Sequence, residues 1–366
     1  MFSRIDSTRR AFLLPIVALS FGIASCQPQT SNAPSANTNT SASPAANTTG
    51  GDSVTLNGAG ASFPAPLYQR WFAEYNKENP NARISYQSVG SGAGVKQFTA
   101  GTVDFGASDT GMTKEEIAKV SRGVLLVPAT AGSVVLAYNL PGVEGLRLSR
   151  DVYPDILLGK ITRWNDPRIA KINPDLKLPD ELITVIYRSD GSGTTAVLTK
   201  HLSAISPAWK NGPGEGKSVS WAVGTGAKGN EGVTAQIQQT QGAIGYTEYG
   251  YATQNKIPFA TLENKAGQYV AATPESASAA LASVTLPEDF LGFAPDPAGD
   301  KSYPIVSYSW IMAYRTYDDP TKAQAMENML KWGLSEGQKF SSELGYVPLP
   351  ENVVSKVEAA VDTLSK

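Results

Sequence analysis

SVVLAY at residues 133–138 and IVSYSWIMAY at residues 305–314 are the two apolar runs on which the reading of this chain turns. Both are rich in Val, Ile, Tyr and Trp, the composition of core strands. They lie far apart, and the segment between them carries its own series of strands and helices. A chain that builds part of one body, leaves it and later returns must cross between bodies twice. These runs are therefore the expected two-segment hinge of a two-lobed protein as well as strands of its core. Strands alternating with helices on both sides place the chain in the α/β class, with largely parallel pairing expected.

Working outward, residues 54–56 read as a short strand, and Pro64 and Pro66 suit the first turn of a helix, where no backbone donor is lost. Leu67, Trp71, Phe72 and Tyr75 follow at three- and four-residue spacing, as on one buried helical face. Residues 84–89 and 103–107 read as further strands. Thr113 with Glu116 predicts a capping box opening a helix through Val120. No internal repeat is present.

Four glycine- and hydroxyl-rich turns punctuate this pattern: GAGASF at 58–63, GSGAG at 90–94, GASDT at 106–110 and RSDGSGT at 188–194. Each leads into a stretch of helical character. Glycine allows close backbone approach, Ser and Thr supply hydroxyls, and a helix start exposes unpaired N–H groups with partial positive charge. Together they point to a closed site for a small oxyanion. Ser62, Ser91, Ser192 and Thr194 would give hydroxyls, Phe63, Gly193 and Thr194 backbone N–H groups, and Arg188 a fork-shaped cation. Asp109 fits if the anion carries a proton for it to accept. Hydrogen phosphate does so; sulfate at neutral pH does not. A site built around such a contact rejects the analogue lacking it by a factor on the order of 10⁴. Each residue also has a plain reading. Ser62, Ser91 and Ser192 fit helix N-caps, Asp109 and Asp190 fit turn caps, and Arg188 fits an ordinary surface cation.

The N-terminus has the form of an export signal. Arg4, Arg9 and Arg10 precede an apolar stretch at residues 11–22, too short to span a bilayer. IASC at residues 23–26 resembles the lipobox of bacterial lipoproteins, which would make Cys26, the only cysteine, a lipidation site and leave none for a disulfide. TRRAFL at residues 8–13 also resembles a twin-arginine export motif. The expected processing removes residues 1–25. Residues 26–52 are then a tether too polar to bury a core.

The tally of 31 basic and 33 acidic residues becomes 28 against 32 once Arg4, Arg9, Arg10 and Asp6 are removed, a net charge of −4. Without a basic run in the folded part, nucleic-acid binding is not expected. An anion site on such a protein must rely on local dipoles and one placed cation. Enzyme motifs are lacking as well. No nucleophile–histidine pair is expected, and His201, the single histidine, reads as structural. No catalytic residue, metal site or cofactor is expected. GPGEGKS at residues 212–218 is one residue short of a P-loop. GTGAKG at residues 224–229, with Glu248 about twenty residues on, fits a dinucleotide pattern too common to carry weight alone.

The ordered motifs GAGASFPAPLY (58–68), YQSVGSGAGVKQ (86–97), DFGASD (104–109), LLGKITRWNDPRI (157–169), RSDGSGTT (188–195) and GAIGYTEYGYA (242–252) resemble the periplasmic phosphate-binding proteins of ABC transporters, the PstS family. The resemblance spans nearly the whole folded part. It implies a type II periplasmic binding protein fold with lobe I at residues 53–133 and 306–366 and lobe II at residues 134–305. It implies phosphate contacts at Ser62, Phe63, Ser91, Asp109, Arg188, Ser192, Gly193 and Thr194. It further implies a monomeric, lipid-anchored receptor outside the inner membrane that serves an ABC permease and its ATPase. Two departures stand out: Ser62 where threonine is frequent, and Gly92 where many members have a second serine. The competing expectation is a receptor for another tetrahedral oxyanion, such as sulfate or arsenate.

Overall fold

The computed structural model describes residues 53–364; the signal, tether and Cys26 readings fall outside them. The described strands are β1 (Val54–Gly60), β2 (Ala82–Ser88), β3 (Phe105–Ser108), β4 (Val124–Tyr138), β5 (Arg147–Leu148), β6 (Thr184–Arg188), β7 (Thr225–Ala227), β8 (Ala243–Glu248), β9 (Thr261–Glu263), β10 (Tyr269–Val270) and β11 (Val306–Tyr314). Eight of them form one sheet in the order β2-β1-β3-β11-β4-β8-β6-β7, and β10-β9-β5 form a small second sheet.

The sheet has parallel flanks and an antiparallel centre, which corrects the expectation of largely parallel pairing. β1 lies parallel to β2 and β3, and β6 parallel to β7 and β8. Between them, β11 runs antiparallel to β3 and β4, and β4 antiparallel to β8. The centre is antiparallel because an outgoing strand and a returning strand lie side by side there. SVVLAY proves to be the second half of β4, a 15-residue strand buried along its whole length. Its first half pairs with β11, from Val306↔Ser133 to Tyr314↔Val124, and Val134–Tyr138 pairs with β8. Pro128 hid the first half from sequence reading. It is tolerated because the β4–β11 register shifts by one residue there, between Ser309 and Trp310, and a bulge spares the ladder donor that proline lacks.

Helices cover the sheet. Ala65–Glu78 buries Leu67, Trp71, Phe72 and Tyr75 as the spacing predicts, together with Tyr68, and Trp71 Nε1 ties it to the Gly337 carbonyl at 2.7 Å. Burying such aromatic faces contributes roughly 2–3 kcal/mol per side chain. The capping box is present: Glu116 N–H donates to Thr113 Oγ1, and Glu116 Oε2 accepts from Thr113 N–H. It opens only one turn of α-helix, Lys114–Ile117. Beyond it Lys119 N–H and Val120 N–H bond three residues back, so the chain tightens and stops. His201 is buried between Tyr153 Oη and the Pro295 carbonyl, each 2.7 Å from a ring nitrogen, and burial pushes its pKa down to about 4. It is neutral and structural.

Candidate anion-binding site

Helices Ala65–Glu78, Ser91–Thr99, Gly193–Ile205 and Gly229–Gln239 bring their N-terminal ends to one buried cluster beside the centre of the sheet. Three of them follow turns singled out in the sequence. Gly90 precedes Ser91 at φ 87°, a left-handed conformation that glycine adopts without strain. Such ends aim N–H groups and positive partial charge at a common point.

From the first turn, Ser62 is 1% exposed, and its Oγ accepts from Asn230 N–H at 3.1 Å and Asn230 Nδ2 at 2.9 Å. Its carbonyl accepts from Tyr251 Oη at 2.7 Å. Phe63 is fully buried, and its carbonyl accepts from Tyr346 Oη at 2.7 Å. Ser62 is not an N-cap; Pro64 holds that place, without a side-chain bond.

Ser91 and Asp109 form a second pair. Ser91 Oγ accepts from Asp109 N–H at 3.2 Å and lies 3.3 Å from Asp109 Oδ2. Ser309 Oγ donates to Asp109 Oδ1 at 2.7 Å, and Ser307 Oγ to the Asp109 carbonyl at 3.1 Å. Burial pushes the Asp109 carboxyl up to about 6, while the Ser309 hydrogen bond and the Arg188 charge pull it back. With a pKa of about 6 it is chiefly ionised at neutral pH, a buried acceptor held by two serine hydroxyls.

Arg188 ends β6 and is 4% exposed. Its N–H donates to Tyr246 Oη at 3.0 Å. Nε and Nη2 donate to the two oxygens of Asp190, at 2.7 and 2.6 Å. One edge of the guanidinium is thus occupied, and the end formed by Nη1 and Nη2 is the part left to meet an anion. Nη1 reaches Thr194 Oγ1 at 3.4 Å. Asp190 is therefore more than a turn cap. It neutralises Arg188 and also accepts from Gly229 N–H at 3.1 Å.

Ser192 is an N-cap, accepting from Thr195 N–H at 3.0 Å, which leaves its own proton free to donate. Gly193 packs so closely that an added Cβ would overlap Ser91 Oγ and Asp109 Oδ2. Gly92 N–H meets the Gly191 carbonyl at 2.7 Å in the same region; a serine there would press on the Gly191 backbone.

The structure thus brings Ser62, Phe63, Ser91, Asp109, Arg188, Ser192, Gly193 and Thr194 into one enclosed cluster. It adds groups that sequence reading missed: Asn230, Ser307 and Ser309. Their signals were present. Ser307 and Ser309 recur at a period of two in the SYS of β11, which puts both on one face. Asn230 follows GTGAKG, set aside as a dinucleotide pattern. That segment folds as β7 and a fifth glycine turn into a helix, and Glu248 is the fully buried N-cap of helix Tyr249–Gln254. Burial holds the Glu248 carboxyl well above its usual range and favours its neutral form.

A fully enclosed cluster of inward-facing donors between two sets of α/β elements defines a binding protein rather than a surface module. Consistent with that, a family model described as a PBP (periplasmic binding protein) superfamily domain matches residues 38–336. The chain belongs, within that superfamily, to the PstS family of phosphate-binding proteins. It is 44% identical over 310 residues to the phosphate-binding protein PstS of Pasteurella multocida (strain Pm70), covering 83% of this chain and 89% of that one. It is 41% identical over 353 residues to PstS of Xylella fastidiosa (strain 9a5c), covering 95% and 96%. Among solved structures, a high-affinity periplasmic phosphate-binding protein (PfluDING) bound with phosphate superposes with a TM-score of 0.69 at 20% identity, over 84% of this chain and 93% of that one. The fold is accordingly the two-lobed, type II periplasmic binding fold.

Proposed function

We propose that this protein is the high-affinity receptor for inorganic phosphate that delivers its ligand to an ABC permease. The observation that carries the reading is Asp109: a buried carboxyl held by Ser309 and Ser91 amid groups that otherwise donate. Hydrogen phosphate satisfies both kinds of partner at once. Ser62, Phe63, Ser192, Gly193 and Thr194 supply neutral donors, and Ser91 joins them once its proton turns from Asp109 to the ligand. Arg188 supplies the cation and Asp109 the proton acceptor. Lobe I comprises residues 53–133 and 306–366, and lobe II residues 134–305. Their closure buries the dehydrated ion and forms the surface the permease and its ATPase respond to. The receptor works as a monomer at the outer face of the inner membrane, anchored through lipidated Cys26. It performs no catalysis.

Calorimetric titration of residues 53–366, freed of phosphate, tests this. The whole eight-stranded sheet and its covering helices lie within the described residues 53–364, so the fragment retains the fold. The expected result is micromolar or tighter phosphate binding with no sulfate heat. Silence toward phosphate in a folded sample sinks the proposal. A second expectation concerns closure. Gly193→Ala places a methyl in overlap with Ser91 Oγ and Asp109 Oδ2, so the closed arrangement must loosen by about an ångström to reach ordinary contact. Phosphate dissociation should accelerate at least ~10-fold, since overpacking costs roughly 1–3 kcal/mol. Stopped-flow displacement reads it directly, and an unchanged rate would mean that this contact does not limit closure.

A further inference from the structure

The Asn230 side chain is fully buried and touches four hydrogen-bonding groups. Its orientation is fixed by one of them. Glu248 N–H sits 3.2 Å from Oδ1 and can only donate, so the oxygen must face it; Thr247 Oγ1 donates to the same atom at 3.2 Å. The NH₂ group therefore points the other way, to Ser62 Oγ at 2.9 Å and Thr194 Oγ1 at 3.2 Å.

A hydroxyl has one proton and two lone pairs. Ser62 Oγ receives two donors, Asn230 N–H and Nδ2. Thr194 Oγ1 also receives two, Asn230 Nδ2 and Arg188 Nη1. With both lone pairs taken, each hydroxyl has only its proton to offer. We propose that Asn230 is a positioning residue that fixes Ser62 and Thr194 as one-way donors to the bound anion, an inference that rests on the phosphate-receptor reading. It divides labour at the site. Ser62 and Thr194 cannot turn to accept a ligand proton, so that proton is directed to the Asp109 side.

Asn230→Asp separates the two halves of this role. An aspartate keeps the acceptor for Glu248 N–H and Thr247, and replaces the donor with an oxygen that draws the Ser62 and Thr194 protons away from the ligand. The ligand-free protein should stay folded, checked by thermal melting, while the phosphate Kd rises on the order of 100-fold, as losing two hydroxyl donations to a charged ligand implies. Asn230→Ala, titrated in the native background and again with Ser62→Ala and Thr194→Val, supplies the readout that a purely structural asparagine would not move. The expected Kd increase is about 10-fold in the native background and below ~3-fold without the hydroxyls, the mark of residues acting through one another. Equal increases in both backgrounds overturn the inference, as does an Asn230→Asp protein that binds phosphate like the native one. Failure of the native protein to bind phosphate would instead overturn the receptor reading.

Discussion

Asp109→Asn opens the site to sulfate and, at neutral pH, stabilises the ligand-free protein. The native carboxylate is enclosed, with Ser309 and Ser91 as its side-chain partners. A fully deprotonated tetrahedral anion would set its own oxygens against it with no hydrogen between. The amide removes that repulsion and offers a donor, so sulfate affinity should rise by a factor on the order of 10² or more, within the range that separates matched from mismatched polar groups. The stability effect follows from protonation. Burial lifts the carboxyl from 3.8 to about 6, so between those values the native state holds more proton than the unfolded chain. The associated stability is fully present below about pH 4 and is lost as pH rises through about 6. At pH 7 the buried charge costs about 3 kcal/mol by that shift. The amide escapes the cost, so its melting temperature should exceed that of the native protein at pH 7, with the difference fading toward pH 4. Titration with sulfate and melts at the two pH values decide it. A variant still blind to sulfate would place the selection elsewhere.

The second large effect is at Arg188. Arg188→Met retains length and removes the charge, leaving Asp190 with only Gly229 N–H and an unbalanced carboxylate beside the anion. Truncating one partner of a buried, hydrogen-bonded charge contact weakens binding by roughly 2–5 kcal/mol, so the phosphate Kd should rise on the order of 10²–10³-fold. Adding Asp190→Asn should restore a substantial part, because the stranded charge goes with it. Phosphate titration of the single and double variants measures this. A single variant that binds within tenfold of native would mean that hydroxyls and helix ends alone hold the ion.

The site was legible in the sequence to the extent that it is made of local grammar. A glycine turn with hydroxyls before a helix is a few residues long, and Ser62, Ser91, Asp109 and Arg188 each sit in one. What escaped depends on partners distant in sequence. Asn230 matters only because helix Gly229–Gln239 meets Ser62, 168 residues earlier. Ser309 matters because β11 returns beside β3 and reaches Asp109 across 200 residues. The class of fold followed from the alternation of strands and helices, but the antiparallel centre did not. Pairing direction is set by where the chain leaves and returns, and Pro128 masked half of the outgoing strand.

The opposition of Arg188 and Asp190, with Asp109 alongside, also governs how the receptor responds to its surroundings. The immediate charges do not add up to a cation; Arg188 and Asp109 are buried and Asp190 is largely covered. Mobile ions act strongly on exposed charges within roughly 10 Å of screening length and weakly on enclosed pairs. Grip on the ligand is thereby decoupled from ionic strength. A periplasmic receptor can thus meet dilute or concentrated salt and hold the same ion with nearly the same firmness, because dipoles and hydroxyls rather than surplus charge do the holding.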